Sequence, residues 1–286
     1  MPNKWDSSQE TNGRASCCGI LHNIRKILTF TTGKRTFMKY ISTLFLLLCT
    51  RIISSQELPS TRSTFLSASY LQVKEEANYG LVFRGPAVDF GMRWEIPIRN
   101  NTILYEYHLG AGFPLAKGVI GLNMSLKPVD ISIVRDIPAG NIIFQAGPAL
   151  KMQYDVQFYP DLQSGYDFWL TSYNAGIKLR AIIPAMTGMI RLGIWNSLLG
   201  LTSRTEPYTD PYFFDLGFWE VMKDIHSNLE FSSLSRFINT TFTAEYLFKK
   251  HPRIALAYVL DYSYYADPYK MTFMNQSLRL IVNAKN

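Results

Sequence analysis

With 286 residues, 47% of them hydrophobic, the chain can bury a sizeable core, and its 14% aromatic content is high. Its formal charge of +7 is uneven, because eight of the 29 Lys and Arg and two of the 22 acids lie in the first 55 residues. The remainder is nearly neutral and shows no basic stripe with interleaved aromatics, which removes the case for nucleic-acid binding. All three cysteines (Cys17, Cys18, Cys49) fall in the same early part, so the rest offers no thiol for a disulfide, a thiolate metal site or a Cys nucleophile.

Met38-Lys39, the apolar run Tyr40 to Cys49 and Ile53-Ser54-Ser55 before Gln56 read as a secretory signal cleaved after Ser55. Residues 1–37 are then expected to be an upstream extension from a miscalled start codon. The alternative is a cytoplasmic tail that makes Tyr40 to Ile53 a signal anchor. Leu48 is too large for lipid attachment at Cys49. Residues 56–286 form the expected mature domain.

Within it, Thr64 to Lys74 is the first expected strand, and Glu75 to Gly85 a loop. From Val88 to Phe113 the sequence predicts a hairpin. Val88, Phe90, Met92, Trp94, Ile96 and Ile98 alternate with Asp89, Gly91, Arg93, Glu95 and Pro97. After the turn Arg99-Asn100-Asn101-Thr102, Ile103, Tyr105, Tyr107, Leu109, Ala111 and Phe113 alternate with Leu104, Glu106, His108, Gly110 and Gly112. Each arm has about the 9–11 residues a tilted strand needs to cross a bilayer. Ile120 to Lys127 alternates again. Beyond Pro128 the phase slips, which predicts a bulge in one long strand; a turn between two short strands is the alternative.

Ile142 to Phe158 holds a two-residue period longest, with Lys151 and Asp155 on its polar face. A loop over Tyr159 to Gly165 leads to Trp169 to Ile183, whose polar face carries Lys178 and Arg180. Pro184, Gly188, Arg191 and Gly193 oppose a membrane helix over Ala181 to Leu201 and favour two strands. Residues 200–235 are the longest interruption, with a helix capped by Asp215 expected to present Phe218, Met222, Ile225 and Leu229 on one face. Three strands close the chain: Ile238 to Phe248, Ile254 to Ala266 and Met271 to Asn283.

Ten strands place the short connections 99–102, 135–140, 184–187 and 249–253 at one end, and 75–85, 159–165 and 200–235 at the other. The reading is an all-β fold: a closed antiparallel transmembrane β-barrel of about ten strands, with eight or twelve as alternatives, and a long, partly helical extracellular loop. Closure follows from the solvent, since an open edge would leave unpaired amides in hydrocarbon.

The inward face collects seven bases (Arg93, Lys127, Lys151, Lys178, Arg180, Arg191, Arg279) and seven acids (Asp89, Glu95, Glu106, Asp130, Asp155, Glu245, Asp261), with His108 beside Glu106 and Glu95. A balanced set predicts a paired, largely plugged lumen rather than a selective ring of one sign; a narrow channel for small solutes is the alternative. The weak catalytic alternative is His226-Ser227, a lipid-directed hydrolase, although adjacent residues on a strand or helix point apart. No close histidine pair suggests a zinc site, and no cofactor is expected.

YGLVFRGP (Tyr79 to Pro86), LYEYHLGAGF (Leu104 to Phe113), YPDLQSGYDFW (Tyr159 to Trp169), HSNLEF (His226 to Phe231) and the Tyr-rich closing strands resemble the uncharacterised outer-membrane β-barrel proteins of the Bacteroidetes type. The resemblance implies a Gram-negative outer membrane, surrounded by lipopolysaccharide and phospholipid, and brings no catalytic residues. The expected protein is a monomer without catalysis. Its outer loops, chiefly 200–235, cap the mouth or bind an extracellular or periplasmic partner.

Overall fold

The computed structural model describes residues 60–76, 80–159, 168–204, 217–266 and 269–284. The expected extension, signal segment and cleavage point therefore lie outside the described residues. Among the described residues thirteen strands run in chain order: β1 (Thr61–Glu75), β2 (Val82–Ile98), β3 (Asn101–Gly112), β4 (Leu115–Ala116), β5 (Val119–Ile120), β6 (Leu122–Ala139), β7 (Ile142–Phe158), β8 (Phe168–Ala185), β9 (Gly188–Arg204), β10 (Glu230–Ser233), β11 (Phe237–Phe248), β12 (Ile254–Tyr265) and β13 (Met271–Asn283). Among the described residues one helix, α1, spans Phe218–Asp224 between β9 and β10.

Ten of the strands are long, and each pairs antiparallel with its neighbour in sequence. The ring closes because β1 also pairs with β13, from Ser63 opposite Asn283 to Glu75 opposite Met271. No long edge is left open, the condition a bilayer imposes on a sheet. The fold is a closed ten-stranded antiparallel barrel of the transmembrane type. Among the described residues no helix is long and apolar enough to cross a membrane.

The two-residue period sets which side chains face out. Leu66, Val88, Phe90, Leu109, Met124, Ile133, Leu150, Ile177, Ile194 and Leu278 are exposed, while their neighbours Ser67, Asp89, His108, Ser125, Ser132, Lys151, Trp195 and Ser277 are buried. Such a wall is inverted relative to a water-soluble barrel. One strand slipping by one residue would turn its charges to the outside, so lipid on one face and paired charge on the other fix the register together.

All four connections at one end are tight: Arg99-Asn100, Gly140-Asn141, Met186-Thr187 and the 249–253 turn. This turn end is shorter than expected, because the strands run through residues expected to be loop. At the opposite loop end the same holds for β2, which begins at Val82 rather than beyond Gly85. The bulge is where the phase slip put it: β6 is continuous through Pro128, and its pairing shifts between Leu126 and Val129. Tyr105 on β3 donates its hydroxyl to the Pro128 carbonyl at 2.9 Å. A second bulge, unforeseen, lies in β9, where Ala175 faces Leu199 and Gly176 faces Ser197. Beyond it β10 continues the line of β11 along β9, from Glu230 opposite Thr202 to Ser233 opposite Leu199.

Gly91 on β2 is a close approach. A Cβ there would run into the Phe65 ring and the Tyr107 carbonyl. Its absence leaves room for Phe65 in the turn-end core with Ala255, Ala257 and Ile281.

Candidate functional site

The barrel wall brings the charged residues of alternate positions into one lumen. Opposed across adjacent strands are Arg93 and Glu106 and Glu245 and Arg191. Longer reaches cross the interior: Arg93 to Glu245 at 2.6 Å, Arg279 to Glu106 at 2.7 Å, Lys127 to Asp261 at 2.7 Å and Arg180 to Glu95 at 2.7 Å. Arg191 bridges Glu245 at 3.1 Å and Glu95 at 3.6 Å. Glu106 and Asp130 stand directly opposite each other as like charges, a pairing that costs stability alone. Arg93 at 3.2 Å relieves Glu106, and Lys178 at 3.7 Å attends Asp130.

Asp261 is the most shared acid. Besides Lys127 it takes Lys151 at 3.4 Å and the Thr241 hydroxyl at 2.5 Å. The Lys151 ammonium also lies 4.8 Å from the Trp195 ring centre. His108 finds Asp89, not Glu106 or Glu95, with Nε2 3.0 Å from Oδ1; Ser69 donates to the same carboxylate. Asp155 accepts from the Gln153 amide. All fifteen lumen residues expected from the sequence thus face inward, and all of them except Asp89 and Asp155 line a cavity of about 60 Å³. That holds a few waters, which suits the polar atoms left over around it.

Toward the loop end the lining turns apolar. Leu71, Val73, Leu170, Phe237, Tyr265, Met271 and Phe273 form a buried layer across the barrel. Above it Arg204 binds Glu75 and the Tyr269 carbonyl and lies 5.1 Å from the Tyr265 ring centre. This cluster is not foreseen in the sequence, where Glu75 falls in an expected loop and Arg204 in the long interruption. The signal was continued alternation, through Leu71, Val73 and Glu75 and through Gly200, Thr202 and Arg204.

The long connection departs from expectation. Its described part, 217–229, does not cover the mouth; it lies along the outer wall. Val221, Met222 and Ile225 pack on Trp169, Tyr154, Val156 and Phe158, which are outward positions of β7 and β8. Trp169 is therefore buried under protein. The helix is shorter than expected, and its N-cap is Gly217, whose amide donates to the Glu220 carboxylate at 2.9 Å; Asp215 lies outside the described residues. The mouth is instead overhung by the β4–β5 hairpin, where Ala116 and Val119 pack on Phe83 and Tyr159. Its turn, Lys117-Gly118, has positive φ at both positions, the geometry that suits a two-residue hairpin.

His226 belongs to the wall contact. Its Nδ1 donates to the Met222 carbonyl at 2.6 Å, so Nε2 accepts from the Tyr173 hydroxyl at 2.6 Å, with Tyr154 at 3.3 Å. Ser227 is exposed beside it. The imidazole of the candidate pair is thus engaged by two tyrosines. Among the described residues no group of His, Cys, Asp and Glu is arranged to hold a metal ion.

No protein family matches the chain, and no curated protein does. Solved structures similar to it are barrels. The translocator domain of the autotransporter NalP from Neisseria meningitidis shares 10% identity over 87% of this chain and 96% of its own, with a TM-score of 0.40. The β domain of the Bordetella autotransporter BrkA shares 8% over 77% and 98%, with a TM-score of 0.40. An outer membrane channel from Pseudomonas putida F1 shares 11% over 80% and 97%, with a TM-score of 0.36. At these values the barrel assignment rests on its own strand pairing.

Proposed function

We propose that this chain is a non-catalytic outer-membrane β-barrel of a Gram-negative bacterium, of the type its sequence resembles, whose lumen is closed and whose loop end is the working surface toward an extracellular partner. The observation that carries the reading is the pairing of an exposed apolar wall with an interior strapped by ion pairs. The wall requires hydrocarbon around it. The interior has no one-signed ring to select an ion, and the apolar layer under Arg204 stands between the charged cavity and the loop end. Turns at the periplasmic side and longer loops outside fit the usual asymmetry of such barrels.

Two measurements test it. In planar bilayers the purified protein is expected to give no sustained conductance, and a steady current that changes in Lys178→Glu would replace the closed barrel with a channel. On intact cells, protease is expected to cut within 200–235; cleavage confined to 184–187 and 249–253 would reverse the orientation.

A further inference from the structure

We infer that the turn end carries a basic arc that binds the anionic headgroups of the phospholipid leaflet it meets. This rests on the outer-membrane reading above and goes beyond it by naming the lipid chemistry and the residues. Arg62 opens β1, Arg99 makes the β2–β3 turn, Arg135 lies on the outward face of β6, and Lys249, Lys250 and Arg253 lie in the β11–β12 turn.

Pairing makes these six neighbours. Arg135 is opposite Asn101, beside the Arg99 turn, and Asp136 donates its amide to the Asn100 carbonyl. The carbonyls of Arg62 and Arg253 accept from Ala284 and Asn283, on the two sides of the end of β13. In the sheet order the arc runs through β6, β3, β2, β1, β13, β12 and β11 without a break. All six side chains are exposed, and none has a carboxylate partner among the described residues. The acid nearest in sequence, Asp136, accepts from the Gln145 amide at 2.7 Å. The loop end differs: there exposed Lys and Arg are mixed with Glu76, Glu220 and Glu230.

Depth also fits. The Arg62 guanidinium lies 5.7 Å from the Trp94 ring centre, and Trp94 packs on Tyr105 at 5.2 Å. Outward-facing Tyr246 and Phe248 meet edge to face, 5.0 Å apart, close to the 249–253 turn. Such aromatic residues sit at headgroup level, so the arc lies where phosphates are. The rest of the rim, at the β6–β7 and β8–β9 turns, shows Ile137, Ile143 and Met186 instead. Basic residues close to an anionic leaflet are attracted within a Debye length, and salt screens them.

The test uses the full barrel refolded into vesicles of phosphatidylcholine alone and of phosphatidylcholine with phosphatidylglycerol. The wild type is expected to melt several degrees higher in the anionic vesicles at low salt, and to lose that gain at high salt. The variant R62Q/R99Q/R135Q/R253Q is expected to melt as the wild type does in phosphatidylcholine and to show little gain. A wild type with no gain, or a gain kept by the variant or at high salt, overturns the inference. If that variant does not fold, K249Q/K250Q decides by the same comparison: a reduced gain supports the arc, and an unchanged gain overturns it. Failure of the wild type to insert into phosphatidylcholine overturns the membrane reading itself, a separate result.

Discussion

Among single residues, the lumen acids are not equivalent, because burial punishes a charge by what is left behind when its partner goes. Asp261 is the partner of both Lys127 and Lys151, and all three are buried. Asp261→Asn is expected to lower stability by about 3–5 kcal/mol in urea unfolding from detergent or bilayer. Lys178→Met is expected to cost less than about 1 kcal/mol, since its contact with Asp130 is long at 3.7 Å and partly exposed. The sequence made the inward set legible through alternation alone. Which acid takes which base was not legible, because Arg93 meets Glu245 from a strand 152 residues away, and His108 prefers Asp89 to the nearer-looking Glu106.

At the level of the element, the β6 bulge shows how an irregular strand survives against lipid. A bulge frees a backbone carbonyl, which hydrocarbon cannot solvate; here the Tyr105 hydroxyl supplies the missing donor to Pro128. Tyr105→Phe is expected to cost about 1–3 kcal/mol in urea unfolding. Deleting Pro128 restores plain alternation from Lys127 to Val129 and Asp130, and in that background the same substitution is expected to cost almost nothing. The phase slip was readable in the sequence, whereas the hydroxyl cap was not. For α1, the expected cap Asp215 and the expected reach to Leu229 gave way to a short helix on the wall, since Trp169 and Tyr154 offered its apolar face a protein surface that no pattern inside 200–235 announces. Tyr173→Phe with His226→Ala is expected to speed proteolysis within 217–229 while leaving the melting of the barrel unchanged.

For the whole molecule, strand number, phase and the end-to-end asymmetry of the connections were all present in the sequence, because each follows from a two-residue period repeated between turn residues. The packing at the loop end was not. It is made by three separate pieces, the apolar layer, the Arg204 contacts and the β4–β5 hairpin, drawn from strands that meet only once the cylinder is complete. For the closed lumen proposed above, Arg204→Ala combined with Phe237→Ala and Tyr265→Ala is expected to give new conductance in a planar bilayer, and the single Arg204→Ala to stay silent.

The seam between β1 and β13 joins Ser63 to Asn283. Two rows of amides, about two hundred positions apart along the chain, thus stay unsatisfied until β13 arrives. Assembly must therefore wait for the last segment to be delivered, and a polypeptide shortened before Met271 would hold two raw borders that only another chain, or a chaperone, can cover.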